Sequence, residues 1–341
     1  MPKQRLINTG TMLAGDVGGT KTILALFDVV ADNRTVSELR TFKNDDFANF
    51  DDLLSEYIAE IGRRPQALSL GVAGPVNNER VQITNRPWSI DKEKLKNKFG
   101  VAEVFLLNDL EATAHAIQLL NPEELHSLHE GQPIHNGNIA VIAPGTGLGE
   151  AFLTNTNGEY VAHASEGGHS DFAPRTKLQD DLLVYLREKF EHVSYERICS
   201  GSGLPNIYNF LRDYDLADEP AWLLHLLEDA KDPTAVIVEA ALDREKDSAI
   251  CQMTVSIFVE VLAAEAGNLA LKVGASAGVF LGGGIAPRII ALLKIGDFPS
   301  HFSAKGRYQN YLERIPIQVM LNTQTALIGA ADYGLRQLQS N

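Results

Sequence analysis

Twice in this chain an apolar strand runs into a glycine turn and returns as a second apolar strand. The first copy is LAGDVGGTKTILALFD, residues 13–28; the second is NIAVIAPGTGLGEAFLT, residues 138–154. Their turns, Gly18-Gly19-Thr20 and Gly145-Thr146-Gly147, lie roughly 127 residues apart. A repeat at that distance predicts two related domains, each opening with a glycine-turn hairpin. Length agrees, because 341 residues exceed one ordinary core and two domains are expected.

The first turn is not a Walker A loop, which needs Gly directly before Lys and Ser/Thr; here Thr20 precedes Lys21. Nor is it a dinucleotide fingerprint. TILALFD, after the glycines, is β-branched and aliphatic and predicts a strand where that motif needs a helix. Three glycine clusters stand out: DVGGTK, PGTGLG and LGGGIAP. Tight turns whose backbone N–H groups face one cleft cradle a polyphosphate, because glycine lets the backbone approach closely. Asp16, at a strand end, is the expected ligand of Mg2+, directly or through water, since Mg2+ takes oxygen ligands and keeps several waters.

Alternating strands and helices, with strands paired early, predict a mixed α/β sheet in the first half, and the second half is more helical. LLND, followed by a helix, places Asn108 and Asp109 at the C-terminal end of a strand, where open α/β sheets put ligand sites. A carboxylate there can take the proton of a substrate hydroxyl. The competing structural reading is Asp109 as N-cap of a helix over 110–120. ASEGGHSDF offers Glu166, His169 and Asp171 beside Gly167 and Gly168. With His163 this is a candidate metal cluster or a binder of paired sugar hydroxyls; no thiol accompanies it, which favours the hydroxyls. VSYERICSGSG adds Glu196 ahead of a Gly-Ser-Gly turn.

A net charge of −14 argues against non-specific nucleic-acid binding and against an anionic membrane surface. Cys199 and Cys251 are too few for a disulfide framework or a four-cysteine zinc site and read as buried free thiols. The N-terminal stretch MPKQRLINTGTMLAGD has no apolar core of a signal peptide. The most apolar region, 253–286, is interrupted by Glu260, Glu265 and Lys272 before it reaches bilayer-spanning length. A reducing cytoplasm is the expected location.

Six motifs in order, DVGGTK, LLNDLEATAHA, APGTGLGEAF, EGGHSDFAP, ERICSGSGLPNIY and LGGGIAPRI, resemble the bacterial glucokinase family. That family lies within the actin-like/hexokinase/Hsp70 ATPase superfamily, and the likeness runs from about residue 13 to the C-terminal helix. The resemblance implies an α/β fold of two unequal actin-like ATPase (ribonuclease H-like) domains flanking a deep interdomain cleft. Residues 1–118 plus 320–341 would form the small domain and 119–319 the large one, with a homodimer as the usual assembly. It implies ATP at Asp16, Gly18, Gly19, Thr20, Lys21, Gly145, Thr146, Gly147, Gly282, Gly283 and Gly284, with Mg2+ near Asp16. It implies glucose at Asn108, Asp109, Glu166, His169 and Glu196, with Asp109 as the base; Asn85 in ITNRPW is a weaker sugar contact.

The implied activity is Mg-ATP-dependent phosphorylation of D-glucose at the 6-hydroxyl, the first step of glycolysis. Another hexose, another phosphoryl donor such as polyphosphate, a non-catalytic sugar-binding regulator, and an actin- or Hsp70-like ATPase are the alternatives. The chain departs from many close relatives in carrying Lys21 where they have Asn, which either adds a phosphate contact or sits on the surface. It lacks the Cys-rich zinc motif of the repressor-type sugar kinases, since its two cysteines are 52 residues apart, and only about 12 residues precede the first strand. Both features argue against structural zinc and a transcriptional role.

Overall fold

The computed structural model describes residues 9–30, 33–84, 86–243, 245–246 and 248–340. Strands β1 (Thr9–Val17), β2 (Lys21–Val30) and β3 (Asn33–Lys43) precede helix α1 (Phe50–Ile61) and strand β4 (Ala67–Val72). Three short strands, β5 (Val76–Asn77), β6 (Arg80–Gln82) and β7 (Ser89–Asp91), make a small sheet of their own. Helix α2 (Lys92–Phe99), strand β8 (Glu103–Asn108) and helix α3 (Asp109–Ala116) follow. Next come β9 (Leu125–His129), β10 (Ile139–Pro144), β11 (Leu148–Thr156) and β12 (Glu159–Ser165). A helical stretch carries α4 (Lys177–Arg187), α5 (Gly203–Asp213), α6 (Ala221–Glu228), α7 (Pro233–Leu242) and α8 (Ala249–Val273). Strand β13 (Gly278–Leu281), helices α9 (Ile290–Ile295), α10 (Phe298–Ser303) and α11 (Gln309–Leu312), strand β14 (Ile317–Met320) and helix α12 (Thr325–Ser340) complete the chain. These elements group into two compact units. One runs up to Asn121 and takes in Val161–Ala164 and the chain from Asn322 on; the other comprises Pro122–Tyr160 and Ser165–Leu321.

The first unit is built on a five-stranded sheet in the order β3-β2-β1-β4-β8. The hairpin β1–β2 is antiparallel from Thr9↔Val30 to Val17↔Thr22, while β4 and β8 add in parallel. Alternation along β1 sorts its side chains by face. Leu13 and Val17 join the core with Phe50, Leu53 and Tyr57 of α1, whereas Met12 and Ala14 join Leu327 and Ala331 of α12. Strand β4, ALSLGV, is buried throughout, the continuous apolar run expected of a parallel strand covered on both faces.

Close packing of α12 on α3 depends on Gly329. A Cβ there would stand 2.7 Å from the carbonyl carbon of Ala112 and 2.9 Å from the amide nitrogen of Ala116. Both neighbours are helix backbone and cannot swing aside. Gly329→Ala is therefore expected to destabilise the protein by about 1–3 kcal/mol, the usual cost of overpacking. Urea unfolding of the two proteins measures this, and an unchanged midpoint would show that the helices can separate without loss.

The second unit carries a six-stranded sheet, β12-β11-β10-β13-β14-β9. Its hairpin β10–β11 is antiparallel, and β13 and β14 extend it in parallel from β10. The first five strands repeat the order of the first sheet, so the sequence repeat corresponds to a structural one. Strand β9, antiparallel to β14, is the addition. Helix α8 is long and apolar enough to cross a membrane, yet 72% of its apolar window is buried within the protein. It is a core helix, packed with Leu262, Ala266 and Leu269 among the buried residues of this unit. Cys199 and Cys251 are both buried free thiols, and burial pushes the Cys199 thiol well above its usual range.

Candidate functional site

In the first unit the motif residues collect at the C-terminal ends of parallel strands. Val17 of β1 is level with Val72 of β4, which is level with Asn108 of β8. Asp16, the glycine turn and the Asn108-Asp109 pair thus share one edge of the sheet, the edge at which α/β folds bind ligands.

The turn itself is held by its carbonyls. Gly18 N–H donates to Lys21 O at 3.0 Å, closing the hairpin. Asn44, fully buried, donates from Nδ2 to Gly18 O (2.8 Å) and accepts from Thr22 Oγ1 (2.8 Å), and its backbone N–H donates to Thr20 O (3.0 Å). Arg86 donates from Nε to Gly19 O at 2.9 Å and from another guanidinium nitrogen to Asn44 O at 3.1 Å, pairs with Asp45, and lies 4.7 Å over the Trp88 ring. Three successive carbonyls, at 18, 19 and 20, are engaged by these two side chains and one backbone amide. Thr20 and Lys21 are exposed. Asn85 lies outside the described residues.

Asp16 is half-buried at the end of β1. Burial pushes its carboxyl from the ordinary 3.8 up to about 6, and the charge of Lys21 offsets part of that rise. Its chemistry suits a divalent cation: one carboxylate short of water and needing positive charge. A raised carboxyl pKa is also a stability statement. Folding favours protonated Asp16, so stability is complete below pH 4 and is lost as the pH climbs through about 6. Asp16→Asn is accordingly expected to melt at a higher temperature than wild type at pH 7 and at the same temperature below pH 4. Melting curves across this range check it; a gap that does not change with pH would remove the electrostatic cause.

Asn108 and Asp109 divide their roles. Asn108 is buried; its Oδ1 accepts from Leu110 N (2.9 Å) and Glu111 N (3.3 Å), and its Nδ2 donates to Gly74 O (3.3 Å). The N-cap of α3 is therefore Asn108, which corrects the alternative in which Asp109 caps the helix. Asp109 is the first helical residue, half-buried, with Oδ1 accepting from its neighbour Leu110 N at 2.9 Å. Gly71 in β4 permits this placement: a Cβ there would meet Ala112 Cβ at 2.9 Å and Asp109 Cα at 3.7 Å.

In the second unit the other two glycine clusters meet. Gly145 N donates to Gly147 O (2.8 Å) and Gly201 N to Gly145 O (2.7 Å). Gly283, at φ +74°, lies against Pro144, whose carbonyl carbon would be 2.8 Å from any Cβ, so only glycine fits. Ile285 N also donates to Pro144 O at 3.2 Å. Gly145–Gly147 and Gly282–Gly284 thus form one backbone surface at the C-terminal ends of the adjacent strands β10 and β13.

Glu196 borders that surface. Its Oε2 accepts from Leu148 N at 2.9 Å, and its carboxyl lies against Gly147, where a Cβ would be 3.2 Å from Cδ. His169 stands 4.0 Å from Glu166 through Nε2 and 4.0 Å from Glu196 through Nδ1. Glu166, His169 and Glu196 are one cluster, and His169 and Glu196 open on a cavity of about 390 Å3 that Lys189, His192 and Arg197 also line. Asp171 is not part of the cluster; it pairs with His192 at 2.9 Å. Among the described residues no group of three or more His, Cys, Asp or Glu is set to hold a metal ion.

The model of the Glucokinase family matches residues 13–337. The chain belongs to the glucokinase family. Glucokinase of Nostoc punctiforme is 37% identical to it over 335 residues, covering 94% of this chain and 97% of the relative. The crystal structure of a glucokinase from an Antarctic psychrotroph superposes with a TM-score of 0.79 at 31% identity, covering 94% of this chain and 98% of that one. A ROK family glucokinase from Streptomyces griseus, solved with glucose and AMPPNP, shares the fold at a TM-score of 0.62 and 19% identity, with 95% and 99% of the two chains covered.

Two residues of this glucokinase-family site had no signal in the sequence. Asn44 sits near the end of RTVSELRTFKND, which reads as a strand and gives no sign that this residue reaches the glycine turn. Arg86 directly follows the candidate Asn85 in ITNRPW, and the only hint of its role is a Trp two residues further on.

Proposed function

We propose that this chain is a glucokinase that transfers the γ-phosphoryl group of ATP to the 6-hydroxyl of D-glucose, giving glucose 6-phosphate and ADP. The observation that carries the mechanism is the place of the Asp109 carboxylate, on the first residue of α3 directly after the cap Asn108, at the C-terminal end of β8. There Asp109 accepts the proton of the 6-hydroxyl as its oxygen attacks the phosphoryl group in line. Glu166, His169 and Glu196 hold the ring hydroxyls, since hydrogen bonds to ionised groups are stronger than neutral ones. Backbone N–H groups of the glycine turns at 18–20, 145–147 and 282–284, other than those of Gly18, Gly145 and Gly282, which serve the protein's own carbonyls, bind the phosphates and leave no large rearrangement for the moment of transfer. Asp16 would hold Mg2+, directly or through water, and the ion would supply positive charge to the phosphate oxygens.

The same reading makes the small and large domains the walls of a deep cleft that closes on sugar and keeps water from the γ-phosphate. A homodimer and a cytoplasmic location belong to it as well, supported by the family likeness. The test is ADP release from Mg-ATP with and without glucose, then with mannose, fructose and N-acetylglucosamine at equal concentration. Strong turnover with glucose alone is the expected result. Turnover with another sugar would move the specificity, and sugar-independent hydrolysis, or none at all, would overturn the assignment.

A further inference from the structure

We propose that Glu150 is a positioning residue for the sugar-binding turn: its buried carboxyl is the floor on which Gly167 rests, and it thereby sets where Glu166 and His169 stand. The inference rests on the reading of Glu166, His169 and Glu196 as the sugar site.

Glu150 lies on β11, only 1% exposed. A Cβ at Gly167 would stand 2.8 Å from its Cδ, and one at Gly168 would stand 3.0 Å from the carbonyl carbon of Leu148, two residues earlier on the same strand. The consecutive glycines of EGGH are what let the turn lie flat on β11, with Glu166 at its start and His169 at its end. An apolar side chain would fill the place under Gly167 without penalty, yet the chain puts a carboxyl there whose Oε1 has no hydrogen-bond partner among the described residues. A buried polar atom left unpaired is costly and asks for a reason.

The charged and titratable groups facing Glu150 come from two neighbouring elements. Helix α8 brings Glu265 and Lys272, and the turn that follows Glu196 brings the buried Cys199 thiol. Glu265 is fully buried and is itself bound by Lys272 (3.3 Å) and by Asn268 Nδ2 (2.7 Å). Ser165 lies on the near side of the turn, where its Oγ accepts from Gly167 N at 3.0 Å. Burial first, then repulsion from Glu265, outweigh the attraction of Lys272 and push the Glu150 carboxyl up to about 8. At neutral pH it is an uncharged acid. Above that range it ionises beside Glu265 and must be hydrated. Glu265 and Cys199 are buried, whereas Gly167 is half-exposed, so water reaches Glu150 by displacing the turn.

Wild type is compared with Glu150→Gln, which keeps size and neutrality but cannot ionise, and with Glu150→Ala, which removes the floor. Between pH 7 and 9 the wild-type KM for glucose should rise about tenfold, as expected when the sugar binds only the protonated form, while Glu150→Gln stays flat. At pH 7 Glu150→Ala should raise the glucose KM about tenfold through a misplaced turn, with the KM for ATP changed less than about twofold. Amide exchange over residues 165–172 without sugar, corrected for the intrinsic pH dependence, should lose protection over the same range in wild type and not in Glu150→Gln. Identical pH profiles of wild type and Glu150→Gln, or an unchanged glucose KM in Glu150→Ala, would overturn the proposal. Should the chain fail to phosphorylate glucose at all, the sugar reading falls. The exchange measurement alone then decides, a shared profile rejecting the role of Glu150 and a split profile sustaining it.

Discussion

Asp109→Asn should lower kcat with glucose by at least ~10²-fold, the low end for a lost general base, and leave glucose binding nearly unchanged. The replacement is close to isosteric, and Asn keeps an acceptor oxygen for Leu110 N, the 2.9 Å bond that Asp109 makes in the native chain. Helix α3 keeps its start as well, because the cap is Asn108 and not Asp109. What the substitution removes is the capacity to take a proton. Steady-state ADP release at saturating glucose and Mg-ATP, with the glucose Kd taken from calorimetry, separates the two effects. A kcat within tenfold of wild type would take Asp109 out of the mechanism, and a lost Kd would recast it as a binding group.

Gly168→Ala should cost about 10²-fold in kcat/KM for glucose, the penalty of a site group moved by about 1 Å. Gly168 has no left-handed backbone, so its need for glycine is one of space. Its Cβ would fall inside contact distance of the carbonyl oxygen of Leu148 and 3.0 Å from the carbonyl carbon, and that carbonyl belongs to the hairpin strand β11. The strand is pinned on its other side by β10, so the turn has to lift, carrying Glu166 and His169 away from Glu196. Circular dichroism should be unchanged and the KM for ATP little affected. Wild-type kcat/KM in this variant would mean that the turn adapts, and that the 4.0 Å spacing of His169 from its two carboxylates is not what binds sugar.

Much of the fold was legible before any coordinates. The two glycine hairpins correspond to elements, and so do three further readings of the sequence: ALSLGV within a buried strand, DKEKLKNKFG as a short charged helix ending at Gly100, and SAICQMTVSIFVEVLAAEAGNLALKVG as a long helix. Each follows from near-neighbour chemistry: alternation for a strand, 3.6-residue spacing for a helix, glycine for a tight return. Strands β9 and β12 were not legible. LHSLH at 125–129 is half-buried and mixed in polarity; it becomes a strand because the edge of β14 offers it hydrogen bonds. RVQITNRPW alternates like a strand, yet β6 takes only Arg80–Gln82, and Arg86 further along donates to the carbonyl of Gly19.

The candidate site divides along the same line. Acids and glycines at strand ends are local features, written in DVGGTK, LLND and PGTGLG, since the geometry of a turn depends on residues a few positions apart. Three things came only with packing. Asn44 and Arg86 hold the first turn from 26 and 67 residues away along the chain. Asn108 takes the cap of α3, and Asp109 becomes the first residue of that helix. Burial first, and then the charge of Glu265, 115 positions later, push the Glu150 carboxyl up to about 8. Hydrogen-bond partners so distant in sequence, and the low dielectric that sets a carboxyl's charge, exist only once the units have closed their cores.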